Sequence, residues 1–87
     1  MKNQKHIREE LKDAPEFAEK LIEKYGDNIE VDKSYSVGSI LSVEPTETRY
    51  VHFSSNGRKI GVYTEDISID GSFNQTFNDK PLNKVIL

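Results

Sequence analysis

The sequence predicts an α+β domain, in which an N-terminal helical segment packs on an antiparallel β-meander of four or five strands. Apolar residues recur at alternating spacings of four and three through the first third of the chain, as on one face of a helix. After the Asp27-Asn28 loop the apolar period changes to two, which is typical of strands. Asn56-Gly57 lies between two alternating segments and predicts a tight hairpin, so the strands are expected to be antiparallel.

The helical segment is predicted from apolar residues that would share one side of a helix. Pro15 interrupts this stripe, and proline inside a helix costs about 3 kcal/mol. We therefore prefer a short helix to about Lys12 and a second from Pro15 to Tyr25, although one kinked helix has the same spacing. The stripe consists of Ile7, Leu11, Ala14, Ala18, Leu21 and Tyr25.

The ends of the second helix carry their own signals. Asp13 is expected to be its N-cap, with Glu16 reaching back as in a capping box. Gly26 is expected to end the helix, because glycine adopts a positive φ at little cost.

The Asn56-Gly57 turn sets a register for its hairpin. A two-residue type I′ loop fixes which residues lie opposite each other, and alternation then assigns each pair to a face. The predicted pairs are Phe53–Ile60 and Val51–Val62 on the inner face, and His52–Gly61 and Tyr50–Tyr63 on the outer face.

Further strands are expected on both sides of this hairpin. Tyr35, Val37, Leu41 and Val43 alternate as one face of a preceding strand, and a turn over 44–47 leads into the hairpin. A last short strand over 85–87 is expected after a break at Lys80-Pro81.

Asp70-Gly71 predicts a second turn, whose loop can have two or three residues. A two-residue loop would place apolar residues opposite polar ones, whereas a three-residue loop from Ile69 to Gly71 places Ile67 opposite Phe73. The three-residue loop also places Tyr63 opposite Phe77, and we prefer it.

This register leaves too many apolar residues for one sheet face. Either a bulge at Glu65-Asp66 rephases the strand, so that the later residues rejoin the core, or the sheet carries an aromatic second face that binds a partner. That second face would comprise Tyr50, Tyr63, Ile67, Phe73 and Phe77.

Composition limits the classes of function. A chain of 87 residues makes a single domain with one modest core. With no cysteine there is neither a disulfide framework nor a thiolate metal site, which favours the cytoplasm. The charged N-terminus is unlike a secretory leader, and no run approaches the roughly 18 apolar residues of a membrane span, so we expect no membrane partner.

Two surfaces are candidates for binding another protein. The first is an acidic helix face, which can instead be an ordinary solvated surface; its residues are Glu9, Asp13, Glu16, Glu19, Glu23 and Asp27. The second is the outer side of the hairpin with Tyr50, His52 and Tyr63, because tyrosines are common at protein interfaces.

Catalysis has little support in the sequence. His52 is the only histidine expected in a strand, and the predicted register places no carboxylate or second histidine beside it. No nucleophile elbow, phosphate-binding glycine loop or zinc-binding helix motif occurs. We therefore expect a chain that is not an enzyme and needs no cofactor.

The predicted function is a small intracellular protein-binding module. By its size, its lysine, asparagine and glutamate content and its lack of cysteine, the chain resembles as a class the accessory proteins of bacteria and their phages that occupy another macromolecule's surface. In the strongest version of this prediction it is an inhibitor of the phage or mobile-element type. A nucleic-acid-binding module using Arg49, Arg58 and Lys59 with the sheet tyrosines is an alternative, disfavoured by the net charge of −3. A homodimer through the aromatic sheet face is another.

Overall fold

The computed structural model describes residues 2–39, 46–68 and 70–87. Two helices precede a five-stranded antiparallel sheet with strand order β1-β2-β3-β4-β5, so the predicted α+β fold and meander are confirmed. The elements are α1 (Lys2–Glu10), α2 (Pro15–Tyr25), β1 (Ile29–Ser39), β2 (Thr46–Ser55), β3 (Arg58–Ser68), β4 (Phe73–Phe77) and β5 (Lys80–Pro81), with short 3₁₀ turns at Gly26–Asn28 and Leu82–Lys84.

The helical segment forms two helices rather than one kinked helix. Pro15 is the first residue of α2, where its missing N–H removes no intrahelical hydrogen bond. The predicted capping box is wrong, because the N-cap is Ala14 instead of Asp13 and no side chain caps the helix. Gly26 ends α2 with a φ of 61°, as predicted, and its N–H donates to the carbonyl of Ile22.

The core lies between the helices and one face of the sheet. The predicted stripe is buried apart from Tyr25, which is half-buried against the core. Phe17, which the predicted stripe did not include, is also buried. The centroid of its ring lies 5.0 Å from that of Phe77 and 6.3 Å from that of Tyr63. Val51 and Phe53 complete the sheet's contribution.

The hairpin turn is where the sequence placed it, but the register beyond it differs. Asn56 and Gly57 have φ angles of 53° and 79°, as a two-residue type I′ turn requires. The pairing then shifts, so that Ser54 pairs with Lys59 and Phe53 with Gly61, leaving Ile60 as an extra residue. The four predicted pairs are therefore wrong; the observed pairs are Phe53–Gly61, His52–Val62, Val51–Tyr63 and Tyr50–Thr64.

The Ile60 bulge rephases β3 earlier than the sequence indicated. Glu65 and Asp66 pair regularly with both neighbouring strands, so the predicted bulge at these residues is wrong. The preferred β3–β4 register is confirmed, with Ile67 opposite Phe73 and Tyr63 opposite Phe77. Gly71 has a φ of 89°, whereas Ile69 lies outside the described residues.

The register shift at Ile60 determines on which side of the sheet the residues of the predicted aromatic face lie. Tyr63 and Phe77 enter the core, with exposures of 0% and 3%. Ile67 and Phe73 remain partly exposed near the end of the same face, and Tyr50 lies on the opposite face. The predicted second aromatic face therefore does not form.

The outer segments also correct two predictions. Thr46 and Glu47 belong to β2 rather than to a turn, while Leu41, Val43 and the rest of the segment 40–45 lie outside the described residues. Lys80–Pro81 forms the short strand β5, and residues 85–87 form no strand. Proline is tolerated there because β5 is an edge strand.

Candidate binding face

The side of the sheet turned away from the helices is the candidate site. Side chains alternate along each strand, so the residues that neighbour the buried Val51, Phe53 and Tyr63 point to this side. We call this side the outer face. The strand pairing arranges it in rows of Lys33–His52–Val62, Tyr35–Tyr50–Thr64 and Val37–Thr48–Asp66.

An aromatic cluster of Tyr35, Tyr50 and His52 lies at the centre of the outer face. The Tyr35 ring stacks on that of Tyr50, with centroids 5.1 Å apart and an interplanar angle of 25°. It also stacks on the His52 ring at 5.6 Å and 23°, and its hydroxyl lies 3.3 Å from His52 Nε2. Tyr35 and Val37 are 42% and 52% exposed, so this cluster is accessible.

A bulge in β1 creates the cluster. The pairing of β1 with β2 shifts between Val31 and Lys33, which makes Asp32 the extra residue and places Tyr35 directly opposite Tyr50. The Asp32 carboxylate accepts a 2.7 Å hydrogen bond from the hydroxyl of buried Ser54, which holds the bulge in place. The sequence predicted that Tyr35 and Val37 share one strand face, but it did not predict the bulge that brings Tyr35 opposite Tyr50.

Partial burial and two nearby lysines favour the neutral form of His52. Partial burial lowers the pKa of His52 below its ordinary value, and the charges of Lys33 and Lys59 lower it further, against an opposing effect of Asp32. A neutral imidazole can hydrogen-bond the Tyr35 hydroxyl without adding a cation to the face. The chemistry of the cluster is therefore that of aromatic surface with hydrogen-bonding edges.

Tyr63 is not part of this face, which corrects the predicted Tyr50–Tyr63 pair. Its side chain is 0% exposed and its hydroxyl donates a 2.7 Å hydrogen bond to Glu65 while accepting one of 3.0 Å from Gln75. Burial raises the pKa of Tyr63, and the hydrogen bond to Glu65 raises it further. Tyr63 is a structural donor and cannot contact a partner.

Arg49 also lies on the helix side. Its guanidinium bonds both carboxylate oxygens of Glu65 at 3.2 and 2.9 Å and lies 2.9 Å from Glu10 Oε2. It also donates to the carbonyl of Glu10, the last residue of α1. The hydrogen bonds that Arg49 donates to Glu65 raise the pKa of Arg49. Arg49 thus connects α1 to the sheet through these hydrogen bonds. It is therefore not part of the predicted nucleic-acid surface.

The acidic residues of the helices are exposed but do not form one stripe. Gln4 of α1 donates to Asp27, beyond the end of α2, so the two helices run in opposite directions. Arg8 bonds Glu19 with distances of 2.8 and 3.0 Å, which neutralises one member of the set. The other predicted acids, which are Glu9, Asp13, Glu16 and Glu23, are exposed beside the similarly exposed Lys12 and Lys20.

Arg58 and Lys59 are exposed next to the hairpin turn. None of the ion pairs among the described residues involves either of them. By alternation from their partners Ser55 and Ser54, they point to opposite sides of the sheet. They do not form a continuous basic surface with Arg49.

The described part of the chain contains no group of three or more histidine, aspartate or glutamate side chains arranged to hold a metal ion. No helix within 2–39, 46–68 and 70–87 is long and apolar enough to cross a membrane. Comparisons with family models, with curated proteins and with solved structures found no match to the chain.

Proposed function

We propose that this chain is a small, non-enzymatic module that binds another protein through the aromatic cluster of its outer face. The observation that supports this most is the contrast between the two sides of the sheet. One side packs on helices, whereas the other presents stacked Tyr35, Tyr50 and His52 beside an exposed Val37. Aromatic residues of this kind are enriched at protein interfaces, where they bury much area at little cost in conformational entropy.

In its strongest form the proposal is a cytoplasmic inhibitor of the phage or mobile-element type, which acts by covering a partner's surface. The lack of cysteine supports an intracellular setting. The exposed helix acids Glu9, Asp13, Glu16 and Glu23 then serve as a secondary contact with a basic partner.

Nucleic-acid binding is less well supported. Base stacking needs an accessible ring face, but the Tyr35 ring already stacks on two neighbours. Of the three predicted basic residues, Arg49 is held by carboxylates. With a net charge of −3 the chain also lacks the positive field that nucleic-acid binding usually needs.

Capture from the native host, followed by binding measurements with the purified partner, tests the proposal. Tyr50→Glu places a charge in the aromatic cluster and is expected to weaken binding by at least about tenfold, as for an interface hot spot. Lys84→Glu, at an exposed position of the last 3₁₀ turn that belongs to neither proposed contact, is the matched control and is expected to change affinity by less than about twofold. Circular dichroism and thermal melting confirm that both variants fold.

Two outcomes would contradict the proposal. Loss of binding in Glu16→Lys but not in Tyr50→Glu would assign the contact to the helices. Retention on single-stranded nucleic acid that salt abolishes, and that Arg58→Glu removes, would assign the chain to the nucleic-acid class.

A further inference from the structure

The outer edge of β1 is a second unpaired surface. β1 is an edge strand that pairs only with β2, and its last six residues, 34–39, make no other backbone hydrogen bond within the described chain. Residues 32–38 are all exposed. An edge of this kind presents a row of N–H and C=O groups to which another strand can add.

The two halves of this edge differ in how well they are protected against the addition of another strand. The first half carries the charges of Glu30, Asp32 and Lys33 together with the bulge at Asp32, and both devices discourage strand addition. The second half, 34–39, has the sequence Ser-Tyr-Ser-Val-Gly-Ser, with no charge, proline or bulge. Only this half is suited to pairing.

We propose that a second copy of this chain pairs with the unprotected half of β1, antiparallel and centred on Ser36. In this two-fold register, Tyr35 lies opposite Val37 of the second copy, and Val37 opposite its Tyr35. Aromatic and β-branched residues make favourable cross-strand pairs, and these two are among the most exposed large apolar residues in the described chain. The register opposes no like charges.

A neighbouring two-fold register fits less well. Centring the pairing on Tyr35 would place exposed Val37 opposite Lys33 of the second copy, and Gly38 opposite the bulged Asp32. In the register centred on Ser36, each residue lies opposite one that is an even number of positions away in the sequence. The outer-face residues of both copies therefore point to the same side of the joined sheet. The two aromatic clusters then lie side by side on one continuous face, so the pairing extends the surface without depending on the partner proposed above.

Measuring the oligomeric state tests whether two copies pair. The register pairs five residues, 34–38, or seven where Lys33 also lies opposite Ser39. Such a short pairing buries less than the roughly 1,200 Å² typical of stable interfaces, so we expect a weak dimer. Sedimentation velocity from about 10 µM to about 1 mM is expected to show a monomer–dimer equilibrium, because weak association appears only at high concentration. A monomer throughout this range would overturn the proposal.

Disulfide trapping tests the register. The chain has no cysteine, so Ser36→Cys introduces a single thiol that would lie on the two-fold axis. Directly opposed residues of antiparallel strands have Cα atoms about 4.5 to 5.5 Å apart, within the range of a disulfide. Ser72→Cys, in the exposed β3–β4 loop, is the matched control for random collision.

Under mild oxidation, the Ser36→Cys dimer is expected to form at least about tenfold faster than the Ser72→Cys dimer, because only the first thiol is held near its copy. Equal rates would overturn the register. Ser36→Cys leaves Tyr50 and His52 unchanged. The absence of a dimer would therefore not bear on the proposed binding of a partner, and loss of partner binding would not bear on the dimer.

Discussion

Arginine residues show how environment decides the role of a side chain in this chain. Arg8 and Arg49 each make two hydrogen bonds to one glutamate, Glu19 and Glu65 respectively. The Arg8 pair is about half exposed, whereas Glu65 is 3% exposed. The sequence distinguished neither arginine by its neighbours, and it named Arg49 only in the alternative nucleic-acid surface. Its contact with Glu65 depends on non-local packing, which cannot be read from local sequence.

Arg49→Met is expected to destabilise the fold by about 3 kcal/mol, because it leaves the Glu65 carboxylate buried without its cation. It also removes the hydrogen bond to the end of α1. The free energy of unfolding in urea measures the effect. Arg8→Met is the matched control, and a much smaller change is expected there because water screens an exposed ion pair. Equal losses in the two variants would contradict the structural role given to Arg49.

At the scale of elements, local signals sufficed for the bounds of α2 and for the β2–β3 turn. The apolar spacing and Pro15 located α2 at its observed bounds, and Asn56-Gly57 located the β2–β3 turn. The two bulges were not predictable, because Asp32 and Ile60 carry no local signal that distinguishes an extra residue from a paired one. Each bulge moves the later residues of its strand to the other face, so the site was predicted only in part, with Tyr50 and His52 but not Tyr35.

Gly61 is the position at which the second bulge meets the next strand. A Cβ there would lie 2.6 Å from Asn78 side-chain atoms and from Phe77. Asn78 has a φ of 52°, and its side chain accepts a hydrogen bond from the N–H of Val62 and donates one to the carbonyl of Ile60. Glycine therefore lets this asparagine approach the strand closely.

Gly61→Ala is expected to destabilise the protein by about 2 kcal/mol, because the added methyl group displaces Asn78 and Phe77. Thermal and urea unfolding measure the loss. Gly38→Ala is the control in β1, where a Cβ meets nothing within 4 Å, and it is expected to be neutral or slightly stabilising. Comparable behaviour of the two alanine variants would contradict the close packing at Gly61.

For the whole molecule, the helices and the outer face lie on opposite sides of the sheet. The helices and the Arg49–Glu65 contact stabilise one side of the sheet, so the aromatic cluster on the other side is not needed to close the core. Tyr35 and Tyr50 can therefore be changed at a lower cost in stability than Tyr63, which is fully buried. The proposed binding site is therefore separate from the residues that stabilise the core.

Amide chemical-shift mapping of the isotopically labelled chain with its purified partner tests the proposal that the outer face is the binding surface. The largest shifts are expected in β1, β2 and β3 at the outer-face rows, centred on Tyr35, Tyr50 and His52, with the core of the helices unchanged. Shifts concentrated around Glu9, Glu16 and Glu23, with the aromatic cluster unperturbed, would contradict it.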